Sequence, residues 1–133
     1  MEATVLLCDY AVEVQGKLYI TGGGWSQLRA GPPADICLAV KLAVPWDRAD
    51  QRLPLQAALF TEDGVPAVGP AGEPIALTGE VQVGRPPDLP PGTSLDAPFA
   101  LRFTGLVLAP GGYRWELSAD DTLAAVVPFR VVA

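Results

Sequence analysis

Apolar and polar residues alternate with period two along most of this chain, in short blocks separated by Gly, Pro and Asp. The clearest block is Tyr113–Ser118, where Tyr113, Trp115 and Leu117 share one face and Arg114, Glu116 and Ser118 the other. A half-buried β-strand requires this arrangement. Ile36, Leu38, Val40, Leu42 and Val44 alternate with Cys37, Ala39, Lys41 and Ala43. Leu53–Phe60, Ile75–Val83 and Phe99–Thr104 repeat the pattern, and Phe129 and Val131 face away from Arg130. The opening adds a strand at Ala3–Cys8, continuing through Tyr10–Val14, and one at Lys17–Thr21 after a turn at Gln15-Gly16.

No segment sustains a helical period; Trp46–Gln51, after Pro45, suits one helical turn or a connection. Eight or nine short strands predict an all-β single domain over residues 1–133. The expected architecture is a two-sheet antiparallel sandwich, immunoglobulin-like or jelly-roll-like, with a closed barrel as the alternative. Long loops at Gly22–Pro33, Glu62–Pro74 and Gly84–Asp96 favour the sandwich. They are also where a site is to be sought. The last of them, with Arg85–Pro91 inside it, reads as a stiff crossover between sheets.

Composition narrows the function. The 133 residues are half apolar, enough for one core without a disulfide or metal. The formal charge is −6 and the nine basic residues are scattered, so nucleic acid is not an expected partner. No apolar run approaches a membrane span, and the start lacks a basic leader, which points to a soluble cytoplasmic protein. Cys8 and Cys37 then read as reduced, buried thiols.

The chain contains no His. The commonest general base, the usual partner of a nucleophilic Ser or Cys and the commonest zinc ligand are therefore missing. The acidic pairs Asp47/Asp50, Glu62/Asp63 and Asp120/Asp121 fall at expected turns, where carboxylates serve turn geometry. Gly22-Gly23-Gly24 lacks the Lys-Ser/Thr of a phosphate loop and reads as a strand distortion. No catalytic, cofactor or metal residue is assigned.

Among the tryptophans, Trp115 is in phase with core positions, Trp46 lies at a strand end and Trp25 follows the three glycines. Trp25, Trp46 and Arg85 form the candidate binding surface, with Trp25 expected to be partly exposed or folded over the edge of the core.

Glu2–Asp9, Gly16–Trp25, Val44–Asp47, Val83–Pro87 and Pro110–Trp115 resemble motifs of a family of small actinobacterial proteins of unknown function. The resemblance spans nearly the whole chain and implies no activity. The leading expectation is a non-enzymatic protein-interaction or assembly module, with a protein partner or self-association into a homo-oligomer. A small-ligand or carbohydrate-binding module around Trp25 and Trp46 is the alternative, and a carboxylate-based hydrolase ranks last.

Overall fold

The computed structural model describes all residues from Met1 to Ala133. It contains nine strands: β1 (Glu2–Val14), β2 (Lys17–Gly23), β3 (Gln27–Arg29), β4 (Ala34–Val44), β5 (Leu53–Thr61), β6 (Ala76–Val81), β7 (Leu95–Leu106), β8 (Gly111–Ala119) and β9 (Thr122–Val132). They form a four-stranded sheet in the order β2-β1-β4-β7 and a five-stranded sheet in the order β3-β9-β8-β5-β6. The two-sheet architecture is therefore as the alternation implies. One ladder departs from the antiparallel rule, since β3 runs parallel to β9 with Gln27 beside Arg130.

The facing surfaces supply the core. Ile36, Leu38 and Val40 of β4 meet Leu59, Trp115 and Leu117 from the other sheet. Leu42, Val44 and Leu95 meet Leu53, Leu55 and Ala119 toward the opposite end. No polar or charged side chain is buried, so the core holds by apolar packing alone. Trp115 is its largest fully enclosed side chain, with Phe103 at 4.3 Å between ring centroids.

Connections explain how the chain changes sheets. Pro45 is extended and precedes a single 3₁₀ turn at Trp46–Arg48, which carries the chain from β4 to β5. The proline-rich stretch after Val83 links β6 in one sheet to β7 in the other, the crossover expected of it. Two hairpins use two-residue turns with both central residues at positive φ: Gln15-Gly16 and Asp120-Asp121. Such turns match the twist of the strands they join.

A third cluster lies on the outer face of the four-stranded sheet, where Cys8, Cys37 and Ala39 are buried together with Ala11. Leu18 and Ala100 pack against them. The distal part of the β1–β2 hairpin arches over that face, and β2 reaches β7 although two strands lie between them in the sheet. The small side chains of Cys8, Cys37 and Ala39 leave room for this approach. β4 is consequently covered on both faces, and all its residues from Ile36 to Val40 are buried.

Candidate functional site

The three residues singled out from the sequence do not share a surface. Gly24 donates its N–H to the Leu7 carbonyl, which places Trp25 at the level of Leu38 on β4. Trp46 follows the far end of β4, about 26 Å along the strand at 3.3 Å per residue. The loop face expected around Trp25 and Trp46 is thus not formed, because the two loops leave opposite ends of the sandwich.

Trp25 packs over the core rather than standing clear of it. Its ring meets Phe129 edge-on at 6.4 Å, and its indole N–H is enclosed without a protein partner. Trp46 and Arg85 are together. The Arg85 guanidinium lies 4.6 Å above the Trp46 ring, and its Nε and Nη2 donate to the Trp46 carbonyl at 3.1 and 2.8 Å. That stacking anchors the crossover on the 3₁₀ turn and covers one face of the indole.

The acidic clusters serve structure. Asp50, Asp120 and Asp121 all adopt positive φ, a conformation that Asp and Asn tolerate better than bulkier residues. Asp120 also accepts from Arg48 Nη1, and this bond holds its carboxyl below the usual carboxylate range. Glu62 accepts from Arg130 Nη2 at 2.9 Å on the outer face of the five-stranded sheet. There it borders a shallow depression of about 430 Å³ that also holds Arg114. Arg114 in turn donates to Glu116 at 2.8 Å, so the charges lining the depression are matched within the chain. No group of three or more Cys, Asp or Glu side chains is arranged to hold a metal ion.

The feature that alternation alone did not reveal is the outward face of the β1–β2 arm. Pairing of Tyr10 with Thr21, Val12 with Tyr19 and Val14 with Lys17 places these side chains on one face. Ala11 and Leu18 occupy the opposite face and pack down on the sheet. Tyr10, Val12, Val14 and Tyr19 are 44, 37, 47 and 55% exposed, an apolar group at the surface of an otherwise acidic chain. Arg102 of β7 lies 4.3 Å over the Tyr10 ring and fixes the arm's near end. The residues of this face were legible as a strand pair. What sequence periodicity could not show is which of its two faces the arch would leave outside.

A family model described as a family of unknown function, DUF6941, matches residues 3–132. The chain belongs to this family. The resemblance to an uncharacterised family is thereby established over nearly its full length, and the DUF6941 description assigns no activity. No curated protein matches the chain. Among solved structures, the DNA glycosylase AlkC of Pseudomonas fluorescens, bound to DNA containing an abasic-site analogue, aligns with 97% of this chain. The alignment covers 30% of the glycosylase at 13% identity and a TM-score of 0.46, a likeness that carries no functional argument for DUF6941.

Proposed function

We propose that this DUF6941 domain works without catalysis, as a protein-interaction or assembly module that docks through the outward face of the β1–β2 arm. The observation that carries the proposal is the shared exposure of Tyr10, Val12, Val14 and Tyr19 on one face of that arm. Tyr and Val supply apolar contact area at small conformational cost, and contiguous groups of this kind mark interaction surfaces. The arm is held to the body by Leu18, Ala11 and the Arg102–Tyr10 stacking, so the face is presented preformed. Two facing, unbonded thiols at Cys8 and Cys37 fit a reducing compartment such as the cytoplasm. The net charge of −6 favours a protein partner over nucleic acid.

Solution mass by light scattering, combined with retention of proteins from a native-type host, tests the proposal. Wild type is expected to self-associate or retain a partner, and Tyr10→Ser/Tyr19→Ser is expected to lose that behaviour while remaining folded. A strict monomer that retains nothing overturns it.

A further inference from the structure

Two sheets leave four edge strands: β2 and β7 in one, β3 and β6 in the other. An unpaired edge is a template for another strand unless something blunts it. Three of the four are blunted. β7 carries Asp96, Pro98 and Arg102; β3 is only three residues long and is followed by Pro32-Pro33; β6 is six residues long and carries the poor strand former Gly79 and the charge of Glu80. β2 is not. Its seven residues contain one charge, Lys17 at the start, followed by the strand-favouring run Leu18-Tyr19-Ile20-Thr21.

The hairpin turn determines which backbone groups of β2 are free. In a two-residue turn at Gln15-Gly16, the closing pair Val14–Lys17 is hydrogen-bonded. Bonded and non-bonded pairs then alternate, so Val12–Tyr19 is bonded and Glu13–Leu18 and Ala11–Ile20 are not. The N–H and C=O groups of Leu18 and Ile20 therefore point away from β1, toward the open edge. No turn or loop group of the chain takes them up. Gly22, at φ +61°, ends the extended stretch, and a Cβ there would collide with the Asp9 carboxylate.

We infer that β2 pairs with β2 of a second copy of this chain, antiparallel about a two-fold axis at Tyr19. This inference rests on the interaction reading above and names its partner. In this register Leu18 of each copy exchanges two hydrogen bonds with Ile20 of the other, which satisfies all the free groups of both residues. The two Tyr19 side chains meet across the axis at a non-bonded pair, and Lys17 faces Thr21, so no like charges are opposed. The pairing joins two four-stranded sheets into one of eight strands. It also brings the Tyr10, Val12, Val14 and Tyr19 sets of both copies onto a single face. A second copy suits this edge because an isologous contact is self-complementary and closes on itself, leaving no further β2 edge open.

Light scattering at about 100 μM is expected to give twice the 13.9 kDa chain mass, since association depends on concentration. Ile20→Pro removes an N–H that points outward in the single chain, a position where an edge strand accepts proline. It is expected to give the 13.9 kDa monomer with an unchanged circular dichroism spectrum. Independently, Tyr19→Cys is expected to cross-link between copies under a mild oxidant. Its Cα separation of about 4.5 Å lies within the span of a disulfide. Leu77→Cys, on the β6 edge, is not expected to cross-link. A wild-type monomer at this concentration, or a folded Ile20→Pro variant that remains dimeric, overturns the inference. A dimer that survives Ile20→Pro but is lost in Tyr10→Ser/Tyr19→Ser removes edge pairing and leaves the broader reading standing. A monomer that retains nothing removes both.

Discussion

Cys8 on β1 and Cys37 on β4 stand directly opposite one another, with the Cys8 thiol 3.5 Å from the Cys37 carbonyl oxygen. Burial, reinforced by the neighbouring Cys37, pushes the Cys8 thiol from its ordinary 9.0 up to about 12. The neutral thiol is therefore the folded state's preferred form. Its contribution to stability is complete below pH 9 and is lost as the pH rises toward 12. A thiol reagent at about pH 8 is expected to modify neither cysteine of the folded protein and both after denaturation. Fast labelling under native conditions would show that the arm does not cover them.

Trp115 is fully buried and packs against Phe103 and Phe129. Trp115→Ala leaves a void between the sheets and is expected to cost about 3–5 kcal/mol, read from the midpoint of urea unfolding. Truncating Trp25, which lies at the core's margin, is expected to cost less, because its loop can settle into the space.

Arg48 and Asp120 join the 3₁₀ turn to the β8–β9 hairpin. A carboxyl held below its usual range stabilises the fold above that range, and the contribution is lost as pH falls through the lowered value. Asp120→Asn keeps a side chain suited to positive φ while removing the charge. Its melting temperature is expected to lie below wild type at neutral pH and to converge with it in acid. Parallel curves from neutral pH to about pH 3 would refute the assignment.

Arg85 holds the crossover by stacking on Trp46 and donating twice to its carbonyl. Arg85→Lys keeps the charge but loses the planar fork. A loss of about 1 kcal/mol is expected, with a shift of Trp46 emission. Arg85→Ala should do no worse by more than about as much again, since the site is at the surface.

Strands whose two faces differ in polarity were legible from sequence. β8 shows this best, with Arg114 and Glu116 between Tyr113, Trp115 and Leu117. β9 begins at Thr122, but its first half, Leu123–Val127, is apolar at every position and gives no alternation. Only Phe129–Val131 stood out. β3 was hidden in a Gly/Pro-rich loop because three residues carry too little pattern, and its pairing partner lies at the other end of the chain. The two candidate faces of the β1–β2 hairpin looked alike in sequence. Ala11 and Leu18 became the inner one because Cys37, Ala39 and Ala100 offer a low surface to pack on. Trp25 illustrates the remaining ambiguity, since an aromatic after glycines fits both a free loop and a flap over the core.

The parallel contact of Gln27–Arg29 with Arg130–Val132 ties the first quarter of the chain to its last residues. As the polypeptide leaves the ribosome, β1, β2 and β4 can assemble, but the flap bearing Trp25 has no seat until Phe129 emerges. The seam between β3 and β9 therefore closes only after Val132 has emerged. Until then the margin of the core beneath Trp25 stays uncovered, making the nascent chain that still lacks β9 the form most open to chaperones and proteases.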